Sequence, residues 1–374
     1  MKYLFTILSL FLITSYSLAQ QNPFYVGHSL VNFDMPTMVN GLALSASKTT
    51  NYGQQIINGS PLQYNYNNAS SAQGTSFFDA FPAGNYNKLI VTEAIPLQNH
   101  LTYSNTYVVA NNFYTYAKNN NNNNPIKFYI YETWNCINSG IPQPNEPTGC
   151  AYDNSQNSTL LWYPRLQADF SLWTGIVNYV RTQNPNDSQI WMIPAGQAFY
   201  NLTTMINAGS VPGITNVNQL FQDDIHLNNM GNYFIACVMY ACIFEESPQG
   251  LTTSLNNQWT VPFTNMPTTA QATIMQQVAW NTVTSLSSWT GIQSLSISDF
   301  NLNKPVISFY VKEDNLSINF KESKVRNIEI FNQLGQKVLS KNVNDKLVNI
   351  EVSSLSKGIY FIKSNQENIG KFIK

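Results

Sequence analysis

Apolar positions in the middle of the chain follow two alternating patterns. Phe24-Tyr25-Val26, Lys88 to Val91, Ile126 to Tyr131 and Ile190 to Ile193 are short runs rich in β-branched and aromatic residues. They read as strands, the first closed by Gly27 and the last stopped by Pro194. Apolar residues at helical spacing predict helices over roughly Leu166 to Arg181, over Asn229 to Phe244 and over Gln271 to Leu286. Strands alternating with helices predict an α/β domain, a mostly parallel sheet covered on both faces. Near residue 300 the period changes. Leu316, Ile318 and Phe320 alternate with polar residues, as do Val348, Ile350 and Val352. Ile328 to Phe331 and Val338-Leu339 flank a turn at Leu334-Gly335-Gln336, and the whole tail predicts a small all-β sandwich. The asparagine run Asn119 to Asn124, ending at Pro125, predicts an exposed low-complexity loop.

At the start of the chain, Lys2 precedes a mostly apolar stretch from Leu4 to Leu18, and Ser17-Leu18-Ala19 places small residues before a cleavage point after Ala19. This is the pattern of a signal peptide over residues 1–19. The run is short for a membrane span, no second long apolar run follows, and no cysteine near the cleavage point could carry a lipid. The mature protein is therefore expected to be exported without a transmembrane segment.

The chain of 374 residues accommodates two domains. Net charge of -1 argues against nucleic acid as a partner, but the average hides a break. Residues 301–374 carry 12 Lys+Arg against 7 Asp+Glu, and residues 21–300 carry 6 against 13. The expected division is a domain over residues 20–300 and a second over residues 301–374. Cys136 and Cys150 bracket a loop rich in Pro, Gly and Asn, which an exported protein could bridge. Cys237 and Cys242 fall in the apolar helical pattern and read as buried thiols. Trp134, Trp162, Trp173 and Trp191 serve either as core or as platforms for sugar rings.

Two short segments carry the candidate chemistry. Gly27-His28-Ser29-Leu30 directly follows the first strand, and Asp223-Asp224-Ile225-His226 precedes the helix that begins near Asn229. A serine hydroxyl is a poor nucleophile until a base stands within hydrogen-bond reach and a third group orients that base. Ser29 at the end of a parallel strand lies at the sheet's carboxyl edge, where α/β proteins bind ligands. Asp223 and His226, three residues apart, let one segment supply both base and orienting carboxylate. The chain holds only His28, His100 and His226. His28 adjoins the nucleophile and points away from it, so His226 is the expected base. No phosphate-binding glycine loop, dinucleotide fingerprint or zinc spacing is present, so no cofactor and no metal is expected.

"FYVGHSL" resembles the first block of the SGNH (GDSL-like) hydrolases, and "DDIHLNNMGNYF" resembles their last. The resemblance implies a flavodoxin-like three-layer α/β/α sandwich and a secreted serine ester hydrolase. It makes Ser29 the nucleophile, His226 the base and Asp223 its partner. It also implies an oxyanion hole formed by the Ser29 amide, a glycine amide, for which Gly59 in "QQIINGSPL" is placed, and an asparagine side chain. The sequence departs from the family at that asparagine. The corresponding stretch reads "LIVTEAIPLQNHL", with Glu93 near the expected place, and an ionised carboxylate cannot donate. Asn99 is the substitute donor considered. The implied substrate is an ester on a carbohydrate, such as an acetylated polysaccharide. The alternatives are a lipid or aryl ester, or a non-catalytic carbohydrate-binding or adhesion protein on a decayed hydrolase fold. "IEIFNQLGQKVLS", "VSSLSKGIYFIK" and the terminal "KFIK" resemble the C-terminal sorting domain of the type IX secretion system. That resemblance implies the secretion machinery as a partner and the cell surface or the medium as destination.

Overall fold

The computed structural model describes residues 20–293 and 306–374, apart from 313, 321, 333–335 and 366. The expected signal peptide and the Leu334-Gly335 turn lie outside the described residues. The chain divides into two compact units between Gln293 and Ser294.

The first unit is built on a six-stranded sheet. Its strands are β1 (Pro23–Gly27), β2 (Gly53–Ile56), β3 (Gln73–Gly74), β4 (Lys88–Val91), β5 (Lys127–Glu132) and β6 (Ile190–Pro194). They lie in the order β3-β2-β1-β4-β5-β6, with every pair parallel except β2 and β3. Leaving aside β3, this is the flavodoxin-like order, and it reverses at β1, which has β2 on one side and β4 on the other. Open α/β sheets bind their ligands at such a reversal, beyond the carboxyl ends of the strands.

The helices are α1 (Asp34–Ser45), α2 (Leu62–Asn67), α3 (Phe77–Ala80), α4 (Leu97–Tyr103), α5 (Thr106–Asn120), α6 (Trp162–Ala168), α7 (Phe170–Gln183), α8 (Ala195–Asn207), α9 (Asn229–Phe244), α10 (Thr269–Ser285) and α11 (Ser287–Thr290). Alternate strand residues feed two cores. Tyr25, Ile90, Tyr129, Tyr131 and Ile193 pack with α1, α8, α9 and α10. Phe24, Val26, Leu89, Val91, Phe128 and Ile130 pack with α2, α3, α5 and α7 on the opposite face. The result is a three-layer sandwich, as the alternation of elements predicts. Helix α9 is buried over nearly its whole circumference, which explains why it is apolar all round rather than amphipathic.

Two details differ from the sequence reading. The helix expected over Leu166 to Arg181 is two helices, α6 and α7, meeting at Asp169. Its carboxylate accepts from Asn135 Nδ2 (2.7 Å), Asn157 Nδ2 (2.7 Å) and Arg165 Nε (3.1 Å), so the junction is tied into a buried polar network. In the asparagine run, Asn119 and Asn120 belong to α5. Asn121 is fully buried and donates to the Tyr86 carbonyl at 2.7 Å, so only Asn122 to Asn124 form the exposed loop. Trp134, Trp162 and Trp173 are buried in the two cores, and Trp191 is partly buried.

The second unit is an all-β sandwich of β7 (Val306–Lys312), β8 (Asn315–Phe320), β9 (Arg326–Phe331), β10 (Lys337–Val343), β11 (Leu347–Glu351), β12 (Ile359–Ser364) and β13 (Glu367–Ile373). Its sheets run β10-β9-β12-β13 and β11-β8-β7, all antiparallel. Leu316, Ile318, Phe320, Val348, Ile350 and Val352 turn into its core, the faces that their alternation predicts.

Candidate active site

The chain turns sharply as β1 ends. The amides of Val31 and Asn32 both donate to the His28 carbonyl, at 2.9 and 3.0 Å, with Ser29 inside the turn. Asn32 then accepts the amides of Asp34 (2.7 Å) and Met35 (3.3 Å) on its side chain and so starts α1. Gly27 is required by crowding. A Cβ there would stand 2.6 Å from Val31 Cγ2 and 3.0 Å from Thr92 Cγ2. Ser29 is partly exposed, and its hydroxyl bonds to none of the described residues.

His28 is buried, and its ring bonds the Glu93 carbonyl through Nε2 at 3.1 Å while Nδ1 accepts the Leu30 amide at 3.4 Å. These partners select the tautomer with hydrogen on Nε2. Burial first, with repulsion from His100 and His226, lowers its pKa to about 4 despite the Glu93 carbonyl, so the ring is neutral at physiological pH. It is a strut between the ends of β1 and β4.

The second segment is a tight loop pinned by a bridge between Phe221 and Leu227 and by the Gln222 amide donating to the His226 carbonyl at 2.9 Å. Asp223 Oδ1 accepts the amides of Ile225 (2.9 Å) and His226 (2.6 Å), and its Oδ2 meets His226 Nδ1 at 2.8 Å. Burial pulls the Asp223 pKa up, but the two amides and the imidazole together hold it below the usual carboxylate value. Asp224 takes no part through its side chain; its carbonyl accepts the Ile137 amide at 2.6 Å. With Nδ1 engaged, His226 Nε2 has no partner among the described residues.

Both segments are fastened to the carboxyl end of β5. Tyr131 Oη donates to the Leu30 carbonyl at 3.4 Å, and Trp134 Nε1 donates to the Ile225 carbonyl at 2.8 Å. His226 is near enough to depress the pKa of His28, the neighbour of Ser29. The structure thus gathers the Ser29 turn and the Asp223–His226 loop at one strand end. Ser29 and His226 are not hydrogen-bonded to each other.

Gly59 occupies an exposed turn after β2 with φ +68°, open space around it, and an amide bonded to no described group. The Ser29 amide is likewise unengaged. Asn99 lies on α4, and its Nδ2 donates to the Tyr152 carbonyl at 2.8 Å, which occupies it in the wall between α4 and the loop after β5. Glu93 accepts the amides of Leu62 and Ala94, each at 2.8 Å, and the Thr106 hydroxyl at 2.7 Å. Its carboxylate organises the loops after β2 and β4. Asn65, which sequence reasoning missed, is fully buried and donates to the Gly27 carbonyl (3.2 Å) and to Ser60 Oγ (2.6 Å). It braces the end of β1 against the Gly59 turn, and nothing in the asparagine-rich "YNYNN" around it marks that role.

Cys136 and Cys150 form a disulfide with Cα atoms 5.9 Å apart, while Cys237 and Cys242 are buried thiols. The bridged loop is held from beneath by Arg165, which pairs with Asp153 and donates to Ser139 Oγ and Ser155 Oγ at 2.8 Å each. A cross-link spanning 14 residues is worth about 3 kcal/mol by chain entropy. Non-reduced peptide mapping of the exported protein should recover the linked pair. The double replacement of both cysteines by alanine should lower the urea midpoint accordingly; two free thiols would refute the assignment.

Two buried carboxyls at strand ends make stability depend on pH. Burial pushes Glu93 up to about 7 against its three hydrogen bonds, and pushes Glu132, which Gln197 contacts through its amide and side chain, up to about 8. A carboxyl whose pKa rises on folding favours the folded state at low pH, and that contribution is lost as pH climbs from 4.5 through the folded value. His28 acts in the opposite sense, but only between 6.5 and about 4. Lys88, lowered by burial to about 8, adds stability mainly above that pH. Unfolding free energy is therefore expected to fall by about 2 kcal/mol between pH 6.5 and 8. Glu132→Gln should remove more than half of that slope. A flat urea profile over this range would contradict the assignment.

Residues 312–374 match the family described as "Secretion system C-terminal sorting domain". The C-terminal unit is a secretion sorting domain. It directs the protein through the type IX system to the cell surface or the extracellular space. Over 75% of its length the chain is similar in fold to a DUF4886 family protein from Bacteroides uniformis, which is covered over 100% of its own length, at 14% identity and a TM-score of 0.50. Two structures of an acetylxylan esterase from Geobacillus stearothermophilus, one of them a catalytic mutant, align at 9% and 8% identity with TM-scores of 0.37 and 0.36. They cover 60% and 59% of this chain and 92% and 93% of their own, and at that distance bear on neither residues nor substrate. No curated protein matches the sequence. Among the described residues no helix is long and apolar enough to cross a membrane.

Proposed function

We propose that the α/β unit is an exported serine ester hydrolase. The reading rests above all on the Asp223–His226 contact of 2.8 Å, in a loop anchored to the same strand end as the Ser29 turn. Asp223 fixes hydrogen on Nδ1 and leaves Nε2 as a base. On substrate binding Nε2 takes the Ser29 proton and Ser29 Oγ attacks the ester carbonyl. The two groups need not be bonded beforehand, since catalytic hydrogen bonds often tighten only in the complex. The tetrahedral oxyanion is received by the free amides of Ser29 and Gly59. Histidine then returns the proton to the departing alcohol, and water hydrolyses the acyl-enzyme by the same steps.

The export route favours an ester on an extracellular polymer, and we place an acetylated polysaccharide ahead of lipid or aryl esters. The test is hydrolysis of 4-nitrophenyl acetate beside the octanoate ester, with release of acetate from acetylated polysaccharides. Preference for the acetyl ester and release of acetate support the reading, and preference for octanoate moves the substrate to lipids. One observation favours a different class of protein. The Asn99 amide is engaged by the Tyr152 carbonyl and the Glu93 carboxyl accepts three hydrogen bonds from its own loops, so neither stands in as the donor that the family's asparagine supplies. A protein that hydrolyses none of these esters while binding the polysaccharide would be a carbohydrate-binding protein on a decayed hydrolase fold.

A further inference from the structure

A groove of about 410 Å³ separates α1 from the segment around residues 254–260. That volume lies within the range of small-ligand sites. Residues 255–263 form a hairpin. The Phe263 amide donates to the Leu255 carbonyl (2.9 Å) and the Asn257 amide to the Val261 carbonyl (2.8 Å). Asn257 Oδ1 accepts the amides of Trp259 and Val261, both at 3.0 Å, which stiffens the tip. The root is seated by Leu255, which is buried against Gly41 of α1; a Cβ at Gly41 would stand 2.7 Å from Leu255 Cδ2. The groove is therefore formed in advance of any ligand.

Two features of its lining and one of the hairpin beside it point to a ligand. The side-chain amides of Asn40, Asn256 and Gln258 line it and bond to none of the described residues. Its described lining carries no charged side chain. Trp259, held between the lining residues Gln258 and Thr260, is 70% exposed, and Thr260 adopts φ +64°, a backbone conformation unfavourable for a β-branched residue. That conformation belongs to the hairpin turn itself, which the Thr260 amide closes by donating to the Asn257 carbonyl at 2.9 Å. The tip of the same hairpin presents the Trp259 ring to water.

We propose that this groove is a binding site for a neutral oligosaccharide, separate from the Ser29 site. Free amides offer paired donors and acceptors to vicinal hydroxyls, and an exposed indole offers a flat apolar face to a sugar ring. The absence of charge from the lining favours neutral over anionic sugars. A site of this kind would hold the protein on its polymer whether or not the first unit hydrolyses esters, and the inference does not depend on that reading.

Calorimetric titration of the full mature protein with xylohexaose, cellohexaose and mannohexaose tests it. At least one is expected to bind. Trp259→Ala should weaken that binding about tenfold or more, and Gln258→Ala less, because losing one good contact of about 1.4 kcal/mol is a tenfold change. Trp259→Tyr, which keeps an aromatic face, should retain most of the affinity. The rate on 4-nitrophenyl acetate, if the protein has one, should be the same in all three variants. Binding of none of the three sugars, or affinity unchanged by Trp259→Ala, overturns the proposal.

Discussion

Ser29→Ala is expected to lower kcat/KM for an acetyl ester by a thousandfold or more, on the order seen when a catalytic nucleophile is removed, and to leave the fold intact. The serine hydroxyl bonds to no described residue, so its removal strands no partner. His226→Ala should cost a similar factor, and the double variant little more than either, because the two act as one unit. The Asp223–His226 pair is about a third to a half exposed, so losing it costs little stability. Asp223→Asn is the informative variant. Its Oδ1 can still accept the amides of Ile225 and His226 and so keep the loop folded, while its NH₂ would face His226 Nδ1 and favour the wrong tautomer. A loss smaller than that of His226→Ala, with an unchanged unfolding transition, is the expected result. Full activity in Ser29→Ala would refute the assignment of the nucleophile.

The elements legible in the sequence are those whose burial left a pattern. β4 and α9 occur over the residues that the apolar runs predict, and β1, β5 and β6 differ only at their ends. β2 was illegible because it reads Gly-Gln-Gln-Ile. Gln55 is fully buried there, its side chain donating to the Asn65 carbonyl (2.9 Å) and accepting the Phe77 amide (2.7 Å), so polar contacts replace the apolar face that a strand normally advertises. The same distinction runs through the site. Ser29, Asp223 and His226 stand out because their chemistry demands particular residue types at particular spacings. His28, Asn65, Tyr131 and Trp134 work by binding backbone carbonyls, which any sequence supplies, and their partners carry no signal. Glu93 was noticed only as a poor oxyanion donor. That it orders two loops depends on where the amides of Leu62 and Ala94 fall in space.

A chain ending at Ser298 is expected to fold, to keep whatever hydrolytic rate the full mature protein has, and to fail completely in export. Its folding follows from how the first unit closes. Gly291 packs against Trp191, with 2.8 Å from an ideal Cβ to the indole, and Arg181 lies over the rings of Trp191 and Trp289 at 5.1 and 5.5 Å. Ile292 is buried, so the cut falls after the last of these contacts. The sandwich, for its part, buries Leu316, Ile318, Ile330, Ile350 and Ile362 against one another, a core made among the described residues by its own strands. No proposed catalytic group lies beyond His226. The sorting domain over residues 312–374 is removed whole, so the secretion machinery loses the part it reads. In the native host the shortened protein should therefore accumulate inside the cell envelope, measured by fractionation, while the purified protein hydrolyses the acetyl ester at the full-length rate. An insoluble product, or a soluble one with a different rate, would mean that the tail completes the first unit rather than serving export alone.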